Sequence, residues 1–75
     1  MNVVFSHHSL DRIKTRRLDK LTVERLARRM PLQDKEVHWR FPNGYYLVTS
    51  YKEDIDTMVV ITVGRRNYHG KRVRY

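Results

Sequence analysis

The stretch TMVVITV, residues 57–63, is a nearly continuous apolar run and predicts the central strand of the fold. A run of this kind, rich in β-branched residues, is typical of a deeply buried strand. The polar segment KEDID before it and Gly64 after it mark the two ends of the strand. The other elements are therefore expected to pack around residues 57–63.

A β-hairpin is predicted before this strand. VHWRF alternates apolar and polar residues, so Val37, Trp39 and Phe41 are expected to face the core. The Asn-Gly pair at 43–44 is a strong hairpin signal because both residues tolerate positive φ, and YYLVTSY is the returning strand. An exposed edge strand in such a sheet could pair two copies of the chain, so a homodimer is one expectation.

A first helix is predicted near the N-terminus, after a short strand NVVF. Ser6 is a candidate N-cap, with Phe5 and Leu10 at the spacing of a hydrophobic staple. Leu10 and Ile13 form the apolar stripe of this helix, which is expected to end near Arg17.

A second helix is predicted between Asp19, a candidate N-cap, and Pro31, which cannot continue a helix. Leu18 and Leu21 are expected to pack where the two helices meet. Four apolar side chains recur at i, i+3, i+4 and i+7 and form its core-facing stripe: Val23, Leu26, Ala27 and Met30.

The predicted fold class is therefore α+β, in the order β-α-α-β-β-β, with two N-terminal helices packed on a small antiparallel sheet. The single domain is expected to span residues 1–64, and residues 65–75 form a basic C-terminal tail. A chain of 75 residues is long enough for one domain with a modest core.

Positive charge is the dominant feature of the composition. The chain has 16 Lys and Arg against 8 Asp and Glu, a formal net charge of +8. The basic residues concentrate in residues 10–29 and 65–75, on either side of a mildly acidic middle. This distribution favours a polyanionic partner such as RNA or the ribosome, with an acidic protein as the alternative.

Several classes of protein are disfavoured by the sequence. There is no cysteine for a disulfide or a thiolate site, and the glycines are too scattered for a phosphate-binding loop. No metal site is expected, because His7, His8 and Asp11 lack a third ligand at a recognisable spacing, and no cofactor is expected. The sequence predicts neither a signal peptide nor a membrane-spanning segment, so a cytoplasmic protein is expected.

A row of basic residues in the first helix is the main candidate site. His8, Arg12 and Arg16 are each four residues apart and share one helix face. The helix dipole favours a neutral imidazole in the first turn, the form that a general base needs, and the two arginines could hold a scissile phosphate. Metal-independent RNA cleavage, phosphate binding without chemistry, and an ordinary solvated face all fit this spacing.

The basic tail, GRRNYHGKR, is the second candidate. Arginine and tyrosine can stack on bases while neighbouring cations hold phosphate, and a disordered tail is the alternative. The predicted nucleic-acid contacts are Arg17, Arg65, Arg66, Lys71 and Arg72, with Tyr68 as a further candidate for catalysis.

The phrase FSHHSLDRIKTRRL, together with the closing VVITV, resembles a family of small bacterial and phage domains related to the RelE/ParE-like ribonuclease toxins. The resemblance covers roughly residues 5–64. His8, Arg12 and Arg16 take the positions of the family histidine and arginines, and Thr62 that of a threonine in the closing strand. Arg17 departs from the pattern, since a glycine is common there.

The resemblance implies a toxin-like protein directed at RNA, with a metal-independent endoribonuclease activity on mRNA or ribosome-bound RNA. An acidic antitoxin would be a partner of such a protein. Arg65, Arg66 and Tyr68 are similar in character to functional residues that lie late in RelE toxins. The alternative is a non-catalytic phage or accessory protein that binds and inhibits an acidic host protein or a nucleic-acid-processing complex.

Overall fold

The computed structural model describes residues 1–66, which form an α+β fold with two helices and one sheet, so the α+β class is confirmed. The elements follow in the order β1 (Asn2–Phe5), α1 (His7–Thr15), α2 (Lys20–Ala27), β2 (Val37–Arg40), β3 (Tyr45–Lys52) and β4 (Thr57–Arg65). A short 3-10 turn at Glu53–Ile55 joins β3 to β4. No helix within residues 1–66 is long and apolar enough to cross a membrane.

The four strands form one sheet in the order β1-β4-β3-β2, so β4 is an interior strand, as its apolar run predicts. β2 pairs with β3 and β3 with β4 in antiparallel fashion, but β1 pairs with β4 in parallel. The prediction of an antiparallel sheet is therefore wrong: the sheet is mixed. The reason is topological, because the two helices and the hairpin intervene between β1 and β4 and allow the chain to return in the same direction.

The core lies between the two helices and one face of the sheet. α1 packs mainly on β4, whereas α2 packs on β3 and β4. The predicted stripe is buried throughout, but α2 ends at Ala27, before the predicted stop at Pro31, and Met30 lies beyond the helix. The stripe meets sheet residues that are also fully buried: Leu47, Met58, Val60 and Val63.

Ser6 fixes the start of α1, as predicted for an N-cap. The backbone N–H of Ser9 donates to Ser6 Oγ over 3.0 Å, and Ser6 Oγ donates in turn to the carbonyl oxygen of Ile61 over 2.7 Å. Ile61 is the extra residue of a β-bulge, because Val48 pairs with Thr62 and Thr49 with Val60. One hydroxyl thus caps the helix and attaches it to the irregular point of β4.

The buried face of α1 differs from the predicted one. Leu10 is 40% exposed, whereas Ser9 is fully buried and Ile13 is buried as expected. The small Ser9 side chain allows α1 to approach β4 closely, and its hydroxyl is satisfied by donating to the Ser6 carbonyl over 2.9 Å. Leu21, expected at the helix junction, is exposed as well.

Trp39 is a second exception to the predicted core. The register places it opposite Leu47, on the face of the sheet that the helices cover, yet it is 53% exposed. β2 is one of the two edge strands, and the helices pack over β3 and β4. Alternation therefore gives the correct face for Trp39, but no helix reaches far enough across the sheet to bury it.

The hairpin turn between β2 and β3 uses one residue with positive φ, although both residues of the Asn-Gly pair tolerate it. Gly44 has φ 92°, and its N–H donates to the Phe41 carbonyl over 3.0 Å. The Gly44 carbonyl accepts the N–H of Arg66 over 2.8 Å. β4 also continues through Gly64, where it was expected to end, to Arg65.

The turn into β4 should make stability depend on pH. The Tyr51 hydroxyl donates to Asp56 Oδ1 over 2.5 Å, and this bond lowers the pKa of Asp56 below 3.8 and raises the pKa of Tyr51 above 10.0. The Asp56 contribution is present above its unfolded pKa and is lost as the pH falls through the lowered value. The Tyr51 contribution is present below its unfolded pKa and is lost as the pH rises through the raised value.

We therefore expect Tyr51→Phe to have a lower melting temperature than the unsubstituted protein at pH values between the pKa of Asp56 and the pKa of Tyr51. At pH values below and above this range, the two melting temperatures should become equal. Thermal unfolding followed by circular dichroism from about pH 2 to pH 11 would measure this. A difference between the two proteins that does not vary with pH would contradict it.

Candidate nucleic-acid interface

The basic row of α1 lies along the helix as its spacing predicts. His8 and Arg16 are exposed and Arg12 is half-buried. Arg16 is the C-cap residue, and its N–H donates to the Arg12 carbonyl. At a rise of 1.5 Å per residue the row is about 12 Å long, whereas phosphates of a duplex strand follow one another at roughly 3.4 Å of axial rise. The row therefore spans several phosphates.

Arg12 lies closer to the helix–sheet contact than expected. The sequence placed it roughly 130° from an apolar stripe of Leu10 and Ile13. The buried face is centred between Ser9 and Ile13 instead, about 80° from Arg12. Arg12 thus lies at the margin of the packed face, which accounts for its half-buried side chain.

The C-terminal end of α1 presents another arginine in an unusual backbone conformation. Arg17 has φ 53°, in the left-handed region. The Leu18 N–H donates to the Ile13 carbonyl over 2.9 Å, and the Arg17 N–H donates to Lys14 over 3.3 Å. These two bonds form a Schellman motif, in which the left-handed residue is usually glycine. The chain thus carries an arginine where glycine would be more stable.

Replacing Arg17 by glycine is expected to raise the free energy of unfolding by about 0.5–1 kcal/mol, because glycine adopts the left-handed region without the Cβ clash. Arg17→Ala is the matched control, since it removes the same charge but keeps the Cβ and should give no such gain. Urea denaturation of the three proteins would measure the difference. Equal stability of the two variants would show that backbone strain at residue 17 is negligible.

Tyr45 connects the end of β4 to the junction between the helices. Its hydroxyl accepts the N–H of Asp19 over 3.3 Å, and the Arg65 guanidinium lies 5.2 Å from the centre of its ring. Tyr45 is itself buried, so this position is fixed by the core. It therefore brings Arg65 to the segment that carries Arg16 and Arg17, and two of the predicted basic regions meet there.

We call this set the basic end of the molecule; its members are Arg12, Arg16, Arg17, Arg65 and Arg66. None of them forms an ion pair with a carboxylate of residues 1–66. The ion pairs of this part of the chain involve other residues, such as Arg28 with Glu24 and Lys52 with Asp34. The guanidinium groups of the basic end are therefore available to an external anion, which they match in geometry when it is a phosphate.

The remaining predicted contacts, Tyr68, Lys71 and Arg72, lie outside the described residues. Within residues 1–66 no group of three or more His, Asp or Glu side chains is arranged to hold a metal ion. Sequence reasoning did not find the role of Tyr45, which it grouped with the other strand aromatics. The signal was present in its alternation with Leu47, but the contact with Asp19 depends on the packing of the helices.

The arrangement suits two kinds of chemistry. The arginines can hold consecutive phosphates of one strand through charge-assisted hydrogen bonds. His8 and Arg12, one helical turn apart, can also reach the same phosphodiester group, with the imidazole as a base and the guanidinium on the developing charge. His8 and Arg16 are about 12 Å apart along the helix axis. Both could form hydrogen bonds to one phosphate only if their side chains extended towards each other along the helix.

No protein-family model, no curated protein and no solved structure matches this chain. Its resemblance to the RelE/ParE-like toxins therefore depends on the N-terminal helix phrase and the β4 motif alone.

Proposed function

We propose that this protein is a toxin-like, RNA-directed protein of the cytoplasm that binds the phosphate backbone of mRNA or ribosome-bound RNA. The observation that carries the proposal is the basic end: Tyr45 holds Arg65 of β4 near the turn that carries Arg16 and Arg17, and none of the five arginines has a carboxylate partner in residues 1–66. Unpaired guanidinium groups in one region are the electrostatic footprint of a polyanion-binding protein.

Arg17 supports a role in binding rather than in folding. Glycine would be the more stable residue at its left-handed position, so the arginine is retained at a cost in stability. Residues in unfavourable backbone conformations tend to occur at functional sites, where the surrounding structure compensates for the strain. A phosphate contact by Arg17 would account for its presence.

We further propose that the site cleaves RNA without a metal ion. In this mechanism His8 accepts the proton of the 2′-hydroxyl, the 2′-oxygen attacks phosphorus, and Arg12 stabilises the phosphorane. An acid then protonates the 5′-oxygen as it leaves, a role for which Tyr68 is the candidate. The half-buried position of Arg12 favours this role, because a partly covered stem restricts where the guanidinium points.

A RelE-like architecture is part of the same proposal. The order of the elements, with a short strand and two helices before three strands, supports it. The basic end also occupies the end of β4, where the resemblance implies late functional residues.

Binding is tested with a fluorescein-labelled single-stranded RNA of about 12 nucleotides and fluorescence anisotropy. We expect Arg12→Ala and Arg16→Ala each to weaken binding about 10-fold, the effect of losing roughly 1.4 kcal/mol per charge-assisted contact. Arg29→Ala is the matched control, because it removes one exposed arginine outside the basic end. Its neighbour Arg28 donates to the Met1 carbonyl, so this part of the chain lies beside the N-terminal end of β1. An equal loss of RNA affinity in all three variants would mean that binding depends on the net charge of the protein and not on the basic end.

Cleavage is tested with 5′-labelled RNA in excess EDTA, using protein whose fold has been verified by circular dichroism. We expect fragments ending in a 2′,3′-cyclic phosphate, lost in His8→Ala and in Arg12→Ala. RNA that stays intact with the folded, RNA-binding protein would remove the catalytic part of the proposal and leave the binding part.

The alternative function, a non-catalytic phage or accessory protein that binds and inhibits an acidic host protein or a nucleic-acid-processing complex, is favoured by Trp39. This side chain is 53% exposed on edge strand β2, and exposed tryptophans at strand edges are frequent anchors of protein interfaces. The same edge is where a homodimer would form by strand pairing. Analytical ultracentrifugation of the free protein and of Trp39→Ser would detect the dimer.

A further inference from the structure

The face of the sheet opposite the helices carries a second arrangement of aromatic and basic residues. The register sets Arg40 opposite Tyr46 and Tyr46 opposite Gly64, in one row across β2, β3 and β4. Because Tyr45 and Leu47 point to the core, alternation directs Tyr46 to the other side. We call this side the open face, defined by Arg40, Tyr46 and Gly64.

The Tyr46 ring lies directly over Gly64. A Cβ atom added at Gly64 would overlap Oη, Cζ and Cε2 of Tyr46, so the ring occupies the space above the glycine. The φ of Gly64 is not positive, unlike that of Gly44, so its backbone does not require glycine. Glycine inside a strand costs stability, and here the missing side chain is what allows the ring to lie on the sheet.

Two arginines share the side of the sheet that carries this ring. Arg40 is the cross-strand neighbour of Tyr46, and Arg66, whose N–H continues the ladder to Gly44, follows Gly64 by two residues on the same side. Neither pairs with a carboxylate of residues 1–66. The charge of the open face at this end is therefore positive.

A shallow depression of about 230 Å³ lies over β2 and β3 at this point. The pairs His38–Val48 and Arg40–Tyr46 alternate with the core-facing Leu47 and point away from the helices, so the depression opens on the open face. The lining residues are His38, Trp39, Arg40, Tyr46, Leu47 and Val48. Small-molecule pockets usually enclose roughly 300–1,000 Å³, so this depression suits a planar group lying on the sheet better than an enclosed ligand.

We propose that Tyr46 is a stacking platform for a base of single-stranded RNA, with Arg40 and Arg66 on the adjacent phosphates. An aromatic ring with one face on the sheet and cations beside it is the arrangement by which sheets bind single strands. Arg65 lies over Tyr45 on the helix side, and Arg66 on the open side, so the end of β4 joins this platform to the basic end. The proposal rests on the RNA binding proposed above and extends it to a base contact.

The test compares two labelled probes of eight nucleotides, oligoadenylate and an abasic ribose-phosphate strand, in fluorescence anisotropy with the full chain. Tyr46→Leu keeps an apolar side chain over Gly64 but removes the ring, and Tyr46→Phe keeps the ring. We expect Tyr46→Leu to weaken oligoadenylate binding at least about 5-fold and to leave abasic binding unchanged, while Tyr46→Phe stays within about 2-fold of the unsubstituted protein.

The outcomes separate the two proposals. One outcome is that Tyr46→Leu binds both probes like the unsubstituted protein while Arg12→Ala binds both more weakly. The proposal that Tyr46 stacks on a base would then be wrong, and the proposal that the basic end binds phosphates would be retained. If Tyr46→Leu weakens both probes equally with an unchanged melting temperature, the ring does not stack on a base. If the full chain binds neither probe, both proposals fail; binding of a polyglutamate peptide that Tyr46→Leu abolishes would then assign the open face to an acidic protein.

Discussion

Replacement of Ser6 by alanine is expected to lower the free energy of unfolding by about 2–3 kcal/mol. The loss of the N-cap bond to the Ser9 N–H contributes about 1 kcal/mol, as for other serine caps. The loss of the bond to the Ile61 carbonyl adds about 1–2 kcal/mol, because this group lies at a bulge where β3 has no residue opposite it.

For a domain of this size the expected total stability is roughly 4–11 kcal/mol, so the loss is a large share of it. Ser6→Thr is the matched control, since threonine keeps the hydroxyl and is an acceptable N-cap. Chemical denaturation monitored by Trp39 fluorescence and by circular dichroism would measure both variants. A loss below about 1 kcal/mol in Ser6→Ala would mean that the Ile61 bond adds nothing beyond the cap.

The affinity for single-stranded RNA is expected to fall about 100-fold between 50 mM and 200 mM monovalent salt. Each neutralised phosphate contributes about −0.7 to the slope of log K against log salt for a single strand. The five arginines of the basic end would therefore give a slope of about −3.5. This second prediction follows from the number of guanidinium groups and does not require catalysis.

The double variant Arg12→Ala, Arg16→Ala tests the number of phosphate contacts that the basic end makes. Its slope should fall to about −2, which corresponds to a loss of roughly 20-fold over the same range of salt. Arg29→Ala should keep the full slope. A slope near zero in the unsubstituted protein would contradict backbone binding, and an unchanged slope in the double variant would move the contacts away from α1.

The helices were predictable because their signals are local. Ser6 and the stripe from Val23 to Met30 depend on neighbours within one or two turns, and they take the predicted roles. The strand at residues 57–63 was predictable from its apolar content, and it is interior. These patterns depend only on neighbouring residues, so they predict local structure even when the rest of the fold is unknown.

The parts that the sequence did not predict depend on distance across the fold. The parallel pairing of β1 with β4 is set by the path of the intervening chain, which no local pattern encodes. Leu10 and Trp39 are apolar and correctly spaced, but burial depends on how close α1 comes to β4 and how far the helices extend over β2. Hydrophobicity alone therefore assigned both residues to the core.

The candidate site shows the same division. The spacing of His8, Arg12 and Arg16 could be read from the sequence, because a helix converts it into a row. The meeting of Arg65 with the C-terminal turn of α1 could not, since it depends on Tyr45 reaching from β3 to Asp19. Their functional roles remain predictions that the RNA-binding measurements address.

The single extra residue at Ile61 decides which arginine serves which surface. Side chains alternate along β4, so an extra residue would exchange the two faces for every position after it unless a bulge absorbed it. With the bulge, Val63 and Arg65 face the helices while Gly64 faces away. If Ile61 were paired regularly, without the bulge, Gly64 would turn into the core and Arg65 would point to the opposite side of the sheet, so the bulge sets the division of charge between the two sides of this protein.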